Sequence, residues 1–544
     1  MRDIYRDMRA TILTLLAILV MPMAGIRAEA QVNRPRLVVN IIVGSMRATD
    51  LERYGDNFQE QGFRRLISGG AYFTDAEYDY SLTTTAAGLA TFATGAQPSV
   101  HGVVGDSWWD HVTGARVELV ADAKSHPVPF STGSISCSPH RLQAPTLGDM
   151  VVDADPRSKQ ITIAVDPQRA IVLNGKRGVA YWVERNKTHW TTSAAYLHQL
   201  PKWVANYNSA NSNSFYAISR WTPVGNIANY HNEEVAVVED IMDKPTKLLS
   251  DINLHLADSA YGHMCYTPAG NTMLLEFAAQ AIAQESLGRD EATDVLNIYL
   301  DPARYIAEVY GPESIEYEDM LYRLDNALAE FLTYLYAQVD SPESVVVVLS
   351  SDHGTSPSYN PQEGLERERF NHRQMEVIVN AFLGARYGSD NYVTGFANNA
   401  LYLNHELLNS KRLSIATIQE EVATFLLQMR GVSTVLSASA LRNTSFGSGR
   451  QRLMQQSFHA TRSGDVVIDF MPGWMVESTD YRSTSHAGYR YDRSVPLIIY
   501  GGGVAAQCIE RTVSIAEVAP TIAHLVGVDA PWASSARPMT EIDN

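Results

Sequence analysis

The chain has 544 residues, 45% of them apolar and 19% charged, a balance that supports a substantial core and excludes a disordered chain. A formal net charge of −17, with no basic run, excludes nucleic acid as a partner, because that binding sets Lys and Arg against phosphates. Cys137, Cys265 and Cys508 lie far apart with no CxxC spacing, which argues against a zinc ribbon or a disulfide framework and leaves room for one disulfide at most.

Residues 1–30 read as a secretory signal peptide. Arg2, Arg6 and Arg9 precede the apolar run TILTLLAILVMPMAG, and Ala28-Glu29-Ala30 follows it. The run is short for a membrane span, an uncleaved anchor being the alternative. The mature chain is expected to start at Gln31 and to be periplasmic or otherwise exported, with no span after cleavage.

Leu37–Val43 (LVVNIIV), Ile161–Val165 (ITIAV), Val295–Leu300 (VLNIYL) and Val345–Leu349 are short apolar runs that predict buried strands. Helical patterns separate them. Between the last two, Ile315, Met320, Leu324, Leu328, Phe331 and Leu335 share one helix face. LIIYGGGV adds a late strand and SIAEVAPTIAHLVGV a closing helix. Such alternation implies an α/β fold with a mainly parallel sheet and helices on both faces. Residues of about 180–290, dense in Trp, Tyr, Asn and Ser, and of about 362–465 break the pattern and read as rim insertions, either a lid or plain core.

The stretch SVVVVLSSDHGTSPS, residues 344–358, runs a buried strand into Asp352-His353 and a glycine turn. The carboxyl end of such a strand is where open α/β sheets bind ligands. A carboxylate beside an imidazole there is half of a site for zinc or a similar ion, or else a cap or turn.

Upstream, YSLTTTAAGLATFATGAQPSVHGVVGDSWWD leads a threonine cluster into a helix, followed by Thr-Gly and His-Gly turns. This segment resembles the threonine-nucleophile branch of the alkaline phosphatase superfamily, which includes bacterial phosphate-monoester hydrolases and nucleotide pyrophosphatase/phosphodiesterases. The resemblance extends over most of residues 31–544, through RPRLVVNIIVGSMRATDLERYG, LSSDHGTSP, STSHAGYRYDRSVPLIIYGGG and the closing helix. It implies an alkaline-phosphatase-like sandwich with a nucleophile at a helix N-terminus, where exposed N–H groups favour a phosphoryl anion. The matching residue is Thr85.

The family builds two adjacent metal sites, usually zinc, that stabilise the attacking and leaving oxygens of an in-line displacement. For the first site the resemblance implies positions Gly44, Thr85, Asp352 and His353, so a carboxylate is missing; Ser45 is a weak substitute. For the second it implies Arg304, Glu308 and His486, of which only His486 is an expected ligand. A guanidinium does not deprotonate and cannot ligate. Asp301 would serve only if the alignment shifts. The phosphate-contacting Asn corresponds to Asp106, and the family's Lys-x-Arg reads Pro167-Gln168-Arg169, which keeps Arg169 as an anion contact. These substitutions imply zinc or another divalent cation at one ion at most, or none. They suggest a catalytically impaired protein that binds a phosphate ester, another anion or a protein partner. The alternative is an active phosphatase or phosphodiesterase using Thr85 with one ion or relocated ligands.

Overall fold

The strand Leu37–Val43 (β1) has no exposed residue along its length, because the parallel sheet places β-branched side chains under a helix layer on either face. The structure is a computed structural model that describes residues 34–130, 134–185, 188–210, 221–232, 260–358, 369–476 and 481–542. The expected signal peptide lies outside these residues. From Pro35 onward the chain forms one unit.

Beside β1, the central sheet uses Ala71–Glu77 (β2), Gln160–Ile163 (β3), Val179–Val183 (β4), Asp294–Leu300 (β5), Val345–Ser350 (β6) and Ser494–Gly501 (β7). Their order is β2-β7-β6-β1-β5-β3-β4, extended at one edge by Gln507–Ile509 and at the other by Trp190–Ser193 and Pro127–Val128. The run from β6 to β4 is parallel, whereas β7 pairs antiparallel with both β6 and β2. In register, Ile42 lies opposite Ser350 and Val43 opposite Leu300. The residues after β1, β5 and β6, namely Gly44, Asp301 and Asp352, therefore emerge at one rim.

Four helices matter for that rim: Thr85–Thr94 (α1), Pro167–Asn174 (α2), Asp301–Tyr310 (α3) and Ile315–Gln338 (α4). In α4, capped by the Ser314 side chain, the six apolar positions expected on one face are all buried. The closing helix is Val518–Val526. The aromatic-rich segment divides within its described part: Trp190, Trp221 and Phe277 join the main core with Leu296 and Leu328. Residues 369–470 instead carry a four-stranded sheet of Val393–Ala397, Ala400–Leu403, Val466–Phe470 and Val432–Ser437 over its own core of Val379, Leu401, Val422 and Ile468. All three cysteines are free thiols, Cys137 and Cys265 buried and Cys508 exposed. Among the described residues no helix is long and apolar enough to cross a membrane.

Behind α1, His101 closes the turn toward Asp106. Its Nδ1 accepts from the Val103 N–H at 3.0 Å, which leaves Nε2–H to donate to Thr91 Oγ1 at 3.1 Å. Burial, with His459 and Arg462 nearby, pulls its pKa down to about 3. The unfolded chain binds this proton below about pH 6.5 while the folded chain refuses it, so stability is lost as pH falls through that value. The stability advantage of wild type over His101→Gln is thus expected to shrink between pH 7.5 and 5, as read by urea unfolding. An advantage that is constant or grows over that range contradicts the neutral assignment.

Candidate active site

Thr85 is the first residue of α1. The preceding Thr84 caps the helix, its side chain accepting from the Ala87 N–H at 3.2 Å, and Gly95 ends it in the left-handed region at φ 67°. The Thr85 hydroxyl lies 3.0 Å from His353 Nε2. That approach depends on Gly88, one turn on along the same face of α1, because a Cβ there would overlap the Asp352 carbonyl. Spacing within the threonine cluster held this signal, since positions i and i+3 share a helix face.

His353 donates Nδ1–H to the Gly354 carbonyl at 2.5 Å, which places Nε2 3.0 Å from the Thr85 hydroxyl and 3.2 Å from Asp352 Oδ2. The Asp352 carboxylate accepts from the Ser45 N–H at 2.9 Å and from the Tyr299 hydroxyl at 3.0 Å. Burial opposes its ionisation, but His353 and the Ser45 N–H hold its pKa below the usual value. Tyr299 was invisible as a site residue, since VLNIYL reads simply as a strand. The Thr85 hydroxyl and the Asp352 carboxylate thus both lie within 3.2 Å of His353 Nε2.

The other ion position is filled differently. Arg304 and Glu308, one turn apart on α3, form an ion pair at 2.7 Å with both side chains about nine-tenths buried. Burial works against the Arg304 charge and Glu308 overrides it, so the guanidinium stays protonated. It is turned into the rim, where it acts electrostatically on Asp352, Asp106 and His486. A guanidinium held protonated at that position does not ligate a cation. His486 adopts φ 93°, and its Nδ1–H donates to the Ser485 carbonyl at 2.6 Å. Burial and the neighbouring His353 lower its pKa to about 4, leaving a neutral ring at pH 7.

Gly44 keeps its rim open to these groups by having no side chain. A Cβ there would sit 2.7 Å from Arg304 Cβ and 2.9 Å from the Tyr299 hydroxyl. Ser45, at φ 60°, offers its backbone N–H to Asp352, while its hydroxyl is buried without a partner among the described residues.

Arg169, expected as the anion contact, faces Asp106 in this structure. Its fork is filled by Asp106 through two hydrogen bonds, Nη1 to Oδ1 at 2.5 Å and Nη2 to Oδ2 at 2.8 Å. Desolvation opposes the charge of this half-exposed carboxylate, but Arg169 more than offsets it, holding the pKa below the usual value and keeping Asp106 ionised. Nor is Asp301 oriented as a spare ligand. Its buried carboxylate accepts from the N–H groups of Val165 at 2.7 Å and Asp166 at 3.3 Å, tying the end of β5 to the start of α2. Burial and Asp166 raise its pKa to about 7.

Residues 38–490 match the profile of the family described as Type I phosphodiesterase / nucleotide pyrophosphatase. The chain belongs to that family. It is similar to alkaline phosphatase PafA of Elizabethkingia meningoseptica, 28% identical over 538 residues that cover 97% of this chain and 98% of the relative. A second similar protein is alkaline phosphatase PhoV of Synechococcus elongatus, 28% identical over 520 residues, covering 94% and 93%. The crystal structure of wild-type PafA superposes with a TM-score of 0.88 over 94% of this chain and 99% of that one. As a phosphodiesterase-family member, the chain thus has the alkaline-phosphatase-like fold, with a large, mostly parallel central sheet.

Proposed function

We propose that this protein is an exported member of the alkaline phosphatase superfamily whose two-metal site is degenerate, and that it works in binding or assembly. The observation that carries this reading is the pair of internal salt links at the rim. Arg304–Glu308 occupies the implied second ion position, and Arg169–Asp106 consumes the implied phosphate contact. Charges that an active site would hold out to metal and phosphate are here satisfied by one another.

A binding role has support of its own. Arg169 Nε and Arg304 Nε are buried without hydrogen-bond partners among the described residues, donor capacity that an anionic ligand would fill. A phosphate ester fits these groups in charge, and a protein partner presenting a carboxylate would as well. The rival is a phosphatase or phosphodiesterase in which Thr85 attacks phosphorus to give a phospho-threonine that water hydrolyses. The Thr85–His353 contact is compatible with it.

Ion counting separates the two-metal reading from this one. Elemental analysis of wild type against His353→Gln/His486→Gln is expected to differ by one divalent ion per chain or by none. Zinc needs about four ligands, which a lone imidazole beside a guanidinium does not supply. A difference of two ions per chain overturns the degenerate-site reading.

A further inference from the structure

Away from the rim, two imidazoles and a buried carboxylate converge where the lobe of residues 369–470 meets the main body. His111 lies just past the strand Ser107–Trp109, His405 opens the helix His405–Ser410, and Asp465 directly precedes the strand Val466–Phe470. Their ligating atoms all fall within 4.8 Å of one another.

The orientation of each group is fixed from behind. Leu403 N–H donates to Asp465 Oδ2 at 2.8 Å, and the Gln419 amide donates to Oδ1 at 2.6 Å. That amide is itself oriented, because Gln419 Oε1 accepts from Ser439 N–H at 3.1 Å and from the Ser439 hydroxyl at 2.6 Å. His405 Nε2 lies 2.8 Å from Asp465 Oδ1. His111 Nε2 lies 2.9 Å from the Ser463 carbonyl, and since a carbonyl only accepts, Nε2 carries the proton. Without a second proton on the ring, Nδ1 is a bare lone pair. It faces Asp465 Oδ2 at 3.6 Å, beyond hydrogen-bonding distance, and it has no hydrogen-bond partner among the described residues.

Two lone pairs facing each other at that separation repel unless a cation lies between them. With bonds of about 2.0–2.2 Å, neighbouring ligands of a tetrahedral zinc ion sit about 3.4 Å apart. The stacked rings of His111 and His405, 4.8 Å between centroids, add a second constraint, because two imidazolium rings so placed would repel. A single divalent ion between His111 Nδ1 and Asp465 Oδ2 relieves that repulsion with both rings neutral, and His405 Nε2 joins it by giving up the proton it otherwise donates to Asp465 Oδ1 at 2.8 Å.

We propose that His111, His405 and Asp465 hold one borderline divalent ion, zinc before nickel or cobalt, as a structural clamp. Two nitrogens and one carboxylate oxygen disfavour magnesium and calcium, which prefer all-oxygen shells. The side chains of His111 and His405 are 15% and 22% exposed against 1% for Asp465, so the ion would enter from solvent and take water as its fourth ligand. The ion would tie the lobe to the hairpin that begins next to Asp106. Asn398 already bonds the same hairpin, its Nδ2 donating to the Ser107 carbonyl at 2.7 Å.

The test uses the full-length chain carrying His353→Gln, which removes the rim imidazole and separates this site from the one treated above. After chelation, Zn²⁺ and Co²⁺ are titrated by calorimetry, by cobalt absorption and by thermal unfolding. One Zn²⁺ per chain, a higher melting temperature and low-coordinate cobalt bands are expected. Adding His111→Gln or His405→Gln should abolish all three, while the metal-free melting temperature stays near that of the parent. If one of these variants does not fold, the other decides. The proposal is overturned if Zn²⁺ produces no heat and no melting shift, or if binding survives both substitutions. It is equally overturned if the only change is a pH-dependent stability lost with His111→Gln, since a proton then occupies the gap.

Discussion

Wild-type protein is expected to hydrolyse phosphate mono- and diesters at least about 10⁴-fold more slowly than a site with both ions and its phosphate donors in place. Each lost electrostatic contact of this kind costs on the order of 10²- to 10³-fold, and the proposed degenerate site lacks more than one. The restoring substitutions Gly44→Asp, Arg304→Asp and Glu308→His are expected to raise the rate only in part. The obstacle at Gly44 is close approach, since its φ is not in the left-handed region. The colliding Arg304 Cβ remains in Arg304→Asp, and the Tyr299 hydroxyl remains beside it, so the start of α3 must move back. Adding Tyr299→Phe removes one of those clashes. A second set, Asp106→Asn with Pro167→Lys, frees the Arg169 fork and should tighten inorganic phosphate binding by about tenfold or more, the worth of a charged hydrogen bond. Assays with a chromogenic monoester and a diester decide the matter. Turnover by wild type at ordinary enzyme rates, lost on Thr85→Ala, would put the one-ion mechanism in place of the degenerate site.

Replacing Gly88 by alanine is expected to be among the most damaging single-methyl additions in the chain, costing about 3 kcal/mol, the upper part of the range for overpacking. The new methyl group meets the Asp352 carbonyl, a backbone atom at the end of a central strand, and neither α1 nor β6 can yield without breaking the sheet rim. Alanine is otherwise the better helix former, so propensity alone predicts the opposite sign. Chemical denaturation of Gly88→Ala reads the effect directly. A neutral or stabilising result would mean that α1 does not press on the Asp352–His353 turn and that the 3.0 Å contact of Thr85 with His353 is not enforced by packing.

The strands Leu37–Val43, Asp294–Leu300 and Val345–Ser350 and the long helix after Ser314 were legible because their apolar periodicity is local. Asp352 and His353 stood out because a strand end and a turn are written within a few residues, whereas Thr85 was singled out only through the family resemblance, and the structure sets its hydroxyl 3.0 Å from His353 Nε2. Whether Arg169 is free was not legible: the answer depends on Asp106, 63 positions away, meeting it bidentately. The same holds for Asp301, an acid that chain position alone offers as a ligand and that the fold gives to the backbone of Val165. His111, His405 and Asp465 carry no common spacing, and only the docking of the lobe brings them to one point. Sequence by itself determined the layers and a mainly parallel sheet, because burial and periodicity act between near neighbours, while the rim positions followed from the family resemblance and the strand order from the fold. Tertiary structure alone decided which charges pair, because an ion pair in a low-dielectric rim forms with whichever opposite charge the packing brings within about 3 Å.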